Sequence, residues 1–223
     1  MPIYKKVDKE FFKKWGEDMA YVLGFFAADG CITVNKRGGQ FWCIQITDKD
    51  LLHQIRDVIG SEHKISCRKV KCKIKDLFSL QIVSIEMCND LRNLGFSERK
   101  TNSMVVPNVP DIYLPYFIRG YFDGDGHVWV GLVHKERGKG LLAIQAVFTS
   151  CSSEFLEVIK RKLERVGICP GRVRKGNGNY YRLMYSIHSA LKLYTFMYNS
   201  LGTSRLFLKR KKDVFERYVK MRL

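Results

Sequence analysis

Two short stretches limit what this 223-residue chain can fold into: "YVLGFFAADG" (21–30) and "YFIRGYFDGDG" (116–126). Each is apolar, long enough for nearly three helical turns, and ends in Asp-Gly. Each also sets small residues four apart, Gly24 and Ala28 in the first copy, Gly120 and Gly124 in the second. Positions i and i+4 share a helix face, so each helix has a stripe along which another backbone can approach closely. Packing the two stripes together would bring Asp29 and Asp125 side by side at two helix C-termini. A carboxylate there is unfavourable by about 0.3–1 kcal/mol, and placing two at one spot calls for a cation. Carboxylates and free helix-end carbonyls form an all-oxygen, hard-ligand site that suits Mg²⁺. A single Asp-Gly would be an ordinary C-cap or turn. "DGDG" also resembles the start of a calcium loop, but "HVWV" supplies none of the later ligands. The paired copies favour a metal site.

The residues between and after these stretches repeat in order. "CITVNKRGGQFWCIQIT" reads as a hairpin turning at Gly38-Gly39, and "DKDLLHQIRDVIG" as an amphipathic helix with Leu51, Leu52, Ile55 and Ile59 on one face and Asp48 as its cap. The segments "HKISCRKVKCKIK" and "LFSLQIVSI" read as strands, with a change of phase at Val70 that suggests a bulge, and a short helix follows. The second half replays this with "HVWVGLVHKERGKGLLAIQAVFTS", the helix "SSEFLEVIKRKLERVG", strands "GRVRK" and "YYRLMYSIH", and one closing helical stretch from Leu193. Pro107 and Pro110 break the chain between the copies. The expectation is an α+β fold of two αββαββα repeats, residues 1–107 and 108–223.

Lys and Arg number 39 against 22 acids, a net charge of +17 spread along the chain. An extended anionic partner follows, nucleic acid first and an anionic membrane surface second. The seven cysteines form no C-x-x-C pair and fit reduced thiols better than a disulfide framework. No apolar run approaches a membrane span and no signal-peptide h-region is evident, so an intracellular, soluble protein is expected. The strand segments place basic and polar residues where a ribbon can enter a major groove: Gln40, Lys64, Arg68, Lys69, Lys71 and Lys73 in the first half, and Arg172, Arg174, Asn177, Asn179 and Arg182 in the second. Turn residues Lys36, Arg37, Lys135, Arg137 and Lys139 are expected to meet phosphates. His127 follows the second aspartate, where the first half has Cys31, so a structural or DNA-contact role is favoured. Tyr194, Phe196, Tyr198 and Phe207 are expected in the core.

"VLGFFAADG" (22–30) and "IRGYFDGDG" (118–126) resemble the paired motifs of single-chain LAGLIDADG homing endonucleases, and the repeat order matches that family over nearly the whole chain after residue 17. The resemblance implies a monomer whose motif helices form the interface between two halves, with saddle-shaped antiparallel sheets lying in the DNA major groove. It implies an intron-encoded enzyme that hydrolyses a phosphodiester in each strand of a long, asymmetric double-stranded site. The divalent metal would be Mg²⁺, with Mn²⁺ or Ca²⁺ able to take the same sites and Ca²⁺ not supporting cleavage. The metal-binding acids carry over to Asp29 and Asp125, with the carbonyls of Ala28 and Gly124 as further ligands. The water-positioning polar residue carries over to Gln45, with Thr149 or Gln145 as its second-half counterpart. The basic residue near the scissile phosphates carries over to Lys100 and Lys211. Two positions depart from the motif: Ala27 stands where the second copy has Asp123, and Arg119, at a usually small position, is expected on the solvent side of its helix. The family also implies the alternative, a maturase that assists intron RNA splicing or a binder that does not cleave.

Overall fold

In the computed structural model the chain is described over residues 5–69, 76–98, 104–134, 140–199 and 202–222. The first half runs α1 (Glu17–Asp29), β1 (Gly30–Val34), β2 (Gln40–Ile46), α2 (Lys49–Val58), β3 (Ser66–Arg68), β4 (Leu77–Val83) and α3 (Ile85–Asn93). After a 3₁₀ turn at Asp111–Tyr113 the second half runs α4 (Leu114–Asp125), β5 (Gly126–Val133), β6 (Leu141–Ser150), α5 (Ser153–Arg165), β7 (Arg172–Lys175), β8 (Tyr181–Ser186), α6 (His188–Tyr198) and α7 (Lys209–Lys220). Each half builds one four-stranded antiparallel sheet, ordered β1-β2-β4-β3 and β5-β6-β8-β7. The sheets are equivalent strand for strand.

Local chemistry sets the element boundaries. Asp48, Ser84 and Ser152 cap α2, α3 and α5 by accepting from the backbone N–H three residues on. The β1–β2 turn closes on Asn35, whose side-chain oxygen accepts from the N–H of Arg37 and Gly39, while Gly38 takes φ +79°. Alternation along the strands puts Trp42, Ile44, Leu80 and Ile82 on one face of the first sheet, where α2 and α3 cover them. Ile144, Phe148, Leu183 and Tyr185 do the same beneath α5 and α6 in the second. The opposite face of each sheet has no helix packed on it among the described residues.

The two halves join through α1 and α4, which make the most extensive contact in the molecule. A β-carbon placed on Gly24 would lie 2.1 Å from the Phe117 carbonyl oxygen, and one on Gly120 would lie 2.0 Å from that of Tyr21. The backbones therefore touch where the sequence places its small residues. The contacts are reciprocal, since the offset that relates Gly24 to Gly120 also relates Tyr21 to Phe117. Gly124 meets Ala28 further along, so the helices run in the same direction and end together. Tyr21, Phe25, Phe26, Phe117, Tyr121 and Phe122, all fully buried, wedge the flanks of this contact.

The end of the chain differs from its expected single helix. Residues 202–208 are not helical and separate α6 from α7. The break is held by Glu17, whose carboxylate accepts from the N–H of Thr203 at 2.6 Å and Ser204 at 2.7 Å. Burial favours the neutral form of Glu17, but these bonds to the ionised form outweigh it and lower its pKa. The phase change expected at Val70 lies outside the described residues.

Replacing Gly24 or Gly120 with alanine should lower unfolding free energy by about 1–3 kcal/mol, because the new methyl group meets backbone that cannot move aside. Urea unfolding checks this, and Gly16→Ala, at a position with open space around it, is the control expected to move the midpoint little.

Candidate active site and nucleic-acid interface

Both motif helices run into strands without a loop. Gly30 N–H bonds to Phe26 O and Gly126 N–H to Phe122 O, and both glycines are already extended, with ψ near 159°. Close approach selects glycine here, since a β-carbon on Gly30 would fall 2.0 Å from the Phe26 ring. The aspartates before them are therefore fixed at the tips. A β-carbon on Gly124 would sit 3.2 Å from an Asp29 carboxylate oxygen, so the first aspartate reaches the end of the second helix. Asp29 is exposed and Asp125 half-buried. After burial, which dominates, both carboxylates raise the pKa of the Tyr121 phenol further.

Among the described residues no group of three or more His, Cys, Asp or Glu side chains converges on a metal position. The donors at the helix tips are thus two carboxylates and main-chain carbonyls, all hard oxygens, which fits a divalent ion that takes its remaining ligands from water or a bound phosphate. The molecule already directs one cation to this end of α4. The buried Lys211 ammonium donates to the carbonyls of Phe122 (2.7 Å), Asp123 (2.7 Å), Gly124 (3.2 Å) and Gly126 (2.6 Å). An ammonium has three donors, so these four acceptors share them. Burial lowers its pKa to about 8, against the pull of Asp123, Asp29 and Asp125 toward the charged form. Lys211 therefore caps the end of α4, and both motif aspartates favour its charged form.

Asp123 explains why the two motifs differ. Its carboxylate is 1% exposed and turned away from the helix tips. It accepts from Tyr21 Oη at 2.8 Å, Leu208 N–H at 2.7 Å and Tyr198 Oη at 3.5 Å. Burial raises its pKa to about 6, and the donated hydrogen bonds limit the rise. Leu208 is the N-cap of α7, so Asp123 fixes the start of the helix on which Lys211 sits. The first half has no helix equivalent to α7 among its described residues, and Ala27 fills the matching place.

Arg119 is not on the solvent side of its helix. It is 3% exposed, lies over the rings of Tyr21 and Tyr116, and donates to the carbonyls of Met197 and Ser204. Met197 is in the last turn of α6, whose carbonyls attract a cation. A polar network that joins α4, α6 and α7 thus replaces the expected exposed arginine.

Strand register places the remaining candidates. Gly30 pairs with Ile44 and Gly126 with Phe148, so Gln45 matches Thr149 and not Gln145. Gln45 faces the open side of its sheet with Ser79, Ser66 and Gln81. In the second sheet Thr149, Arg182 and Arg174 lie in one row, and Arg172 and Met184 in the next. Arg68 is on the open face of the first sheet, and Lys36, Arg37, Lys64 and Lys69 are exposed in its loops. Asn177 and Asn179 are exposed in the β7–β8 turn. Gln40 instead accepts from Arg92 at 2.8 Å. Arg182 stacks on Tyr180 and donates to its hydroxyl at 3.1 Å, which holds the guanidinium in place. His127 is exposed on the open face opposite Val147. Tyr194, Phe196 and Tyr198 pack at the margin of the core, with Phe207 edge-on to Tyr198. Lys71, Lys73, Lys100, Lys135, Arg137 and Lys139 lie outside the described residues. Sequence reading missed Ser79, Gln81 and the supporting role of Tyr180. The first two alternate in phase with the buried Leu80 and Ile82, a signal present in "LFSLQIVSI".

A model of the LAGLIDADG-like domain matches residues 16–86 and 114–197, and the chain belongs to that family. Solved structures of single-chain LAGLIDADG homing endonucleases have the same fold. I-SmaMI bound to an uncleaved DNA target in the presence of calcium ions is 15% identical, with a TM-score of 0.61 over 93% of this chain and 90% of that one. I-AabMI bound to uncleaved DNA is 16% identical, with a TM-score of 0.62 over 90% and 88%. I-SmaMI bound to cleaved DNA is 14% identical, with a TM-score of 0.62 over 93% and 89%. A curated relative, a component of the A-type ATP synthase of Methanopyrus kandleri, is 24% identical over 165 residues, which are 74% of this chain and 14% of that protein. Among the described residues no helix is long and apolar enough to cross a membrane.

Asp123→Ala should cost about 1–3 kcal/mol, since it leaves the Tyr21 hydroxyl and the Leu208 N–H buried without an acceptor. Chemical denaturation measures the loss, and hydrogen exchange should show α7 loosening first.

Proposed function

We propose that this protein is a monomeric, site-specific endonuclease that binds a long asymmetric double-stranded DNA site and hydrolyses one phosphodiester in each strand. Its halves divide at residues 107 and 108. The observation that supports this most strongly is the meeting of two motif aspartates at two parallel helix ends, from which both open-faced sheets depart. Duplex DNA seated on the sheets would place its backbone over the helix tips. Arg172, Arg174 and Arg182 would reach base edges from one half, and Arg68, Gln45, Ser79 and Gln81 from the other. Lys36, Arg37, Lys64 and Lys69 would hold phosphates and set register without reading sequence, as would Lys71, Lys73, Lys135, Arg137 and Lys139.

Asp29 and Asp125, with the Ala28 and Gly124 carbonyls, would hold Mg²⁺, and Mn²⁺ or Ca²⁺ could take the same position. When bound, the ion acidifies water and offsets charge on the leaving oxygen. Gln45 and Thr149 would each orient a water molecule on their own side of the helix pair. Lys211, and Lys100 in the other half, would add positive charge beside the phosphate undergoing attack.

The test is selection of a target from a randomised duplex library, followed by cleavage with Mg²⁺. Asp29→Asn and Asp125→Asn should each reduce cleavage by more than about a hundredfold while retaining binding in Ca²⁺, and a chelator should stop the unmodified enzyme. Specific binding without cutting by the unmodified protein would overturn the enzymatic reading in favour of a binder. Selection of structured intron RNA in place of duplex would favour the maturase reading.

The two kinds of basic residue should separate by salt. Lys36→Ala and Arg37→Ala should each lower the slope of log affinity against log salt by about one, with equal effect on all sequences. Arg174→Ala should cost about 1–3 kcal/mol and relax preference at one base pair. Fluorescence titration against single-base variants of the selected site distinguishes these outcomes.

A further inference from the structure

We propose that Cys31 and Cys43 form a reversible thiol–disulfide switch on the open face of the first sheet. The two residues are direct partners across β1 and β2, and their sulfurs are hydrogen-bonded at 3.0 Å, against about 2.05 Å for a disulfide bond. Neither is needed by the fold, because the matching pair in the second sheet is His127 and Val147. Their position is functional ground: Cys31 lies two residues after Asp29, and Cys43 is two residues before Gln45 on the same strand and face.

The chemistry balances with a small-molecule disulfide as oxidant. Cys31 is exposed and Cys43 is 5% exposed, so Cys31 is the sulfur that an incoming disulfide meets first. Exchange there joins one half of the oxidant to Cys31 and releases the other half as a thiol, which takes the Cys31 proton. Cys43 then attacks the Cys31 sulfur, forms the intramolecular bond and expels the second thiol with its own proton. The protein sulfurs lose two electrons and the small disulfide gains them. The Cys43 thiol is held well above its usual pKa, first by its hydrogen bond to Cys31 and then by burial. The mixed disulfide removes the first of these causes, so Cys43 becomes a better nucleophile once Cys31 has been captured.

The bond would be labile. Cross-strand β-carbons lie about 4.5–5.5 Å apart, whereas a disulfide prefers about 3.8 Å. Closing it draws β1 toward β2 at the root of the hairpin, and strained, accessible disulfides are the readily reduced ones. Closing the bond pulls equally on β2, the strand that bears Gln45. Oxidation should therefore slow cutting, an effect that rests on the endonuclease reading above.

The experiment treats the full-length protein with oxidised glutathione and maps its disulfides by peptide mass, with cleavage of the selected duplex measured before treatment, after it, and after dithiothreitol. The expected result is a Cys31–Cys43 linkage, cutting slowed about tenfold or more by displacement of the site, and full recovery on reduction. Cys43→Val, which installs the residue found at the matching Val147, should cut normally when reduced and lose none of that activity on oxidation. Duplex bound in Ca²⁺ should slow formation of the linkage. Glutathione found on exposed Cys67 or Cys151 with no Cys31–Cys43 bond would overturn the proposal. So would a linkage that leaves cutting unchanged, or equal inhibition of Cys43→Val. If the reduced protein cuts no duplex, the endonuclease reading fails and the switch loses its output, while the mass map still decides whether the bond forms.

Discussion

Backbone contact between α1 and α4 is the constraint on which the rest of the molecule depends. Two helices touch this closely only where neither has a side chain, and here each supplies one glycine to the other's carbonyl row. The further contact of Gly124 with Ala28 makes the pair parallel, so both C-termini arrive at one place. Because each helix passes into a strand with no loop, the sheets must leave from that same place, one on either side. Four consequences of the fold therefore follow from a single steric fact: the pairing of the aspartates, the direction of β1 and β5, the exposure of one face of each sheet, and the approximate two-fold relation of the halves.

The departures from two-fold symmetry cluster around a single buried charge. Asp123 would be costly in the core without donors, and α7 supplies one through the N–H of Leu208. In return Asp123 fixes the N-cap of the helix that bears Lys211. That lysine then donates to the carbonyls at the end of α4, near a carboxylate pair that would otherwise aggravate the same partial charge. Arg119 ties α6 into the assembly from the other side. Buried charged groups of opposite sign are thus each bonded to main chain as well as placed near one another, the condition under which a buried charge is tolerated. The first half, with Ala27 in place of Asp123, has no such charge to satisfy at this position.

Much of this was legible in the sequence, for identifiable reasons. Helix and strand order followed from a change of apolar period, and the cap at Asp48 from residue type directly before an amphipathic run. The helix pair followed from Gly24 and Gly120, because steric exclusion depends on local sequence alone. Arg119 was misplaced because its partners, the carbonyls of Met197 and Ser204, are more than seventy residues away, and no periodicity reveals an acceptor at that distance. The break between α6 and α7 was missed for the same reason: "GTSRLF" (202–207) is pinned by Glu17, from the opposite end of the chain. Thr149 could not be separated from Gln145 until register was known, since both stand on the open face of one strand and differ only in which residue of the neighbouring strand they face.

The open faces are unequal in a way that bears on how a duplex would be read. In the second sheet Arg172, Arg174 and Arg182 crowd two adjacent rows, and Tyr180 braces one of them. Among the described residues the corresponding face of the first sheet is neutral apart from Arg68, with Gln45, Gln81, Ser66 and Ser79. Guanidinium groups favour the paired acceptors of guanine, whereas amides suit adenine and hydroxyls adapt to several bases. On the proposed reading, the second half would therefore supply most of the fixed preference and the first half most of the adaptable contacts. Affinity need not follow the same division, because Lys36, Arg37, Lys64 and Lys69 surround the neutral face with charge from its loops. Separating attraction from base reading in this way would let the weaker-reading half be held in register by the stronger one, through a helix pair too tightly packed to let the two halves move independently.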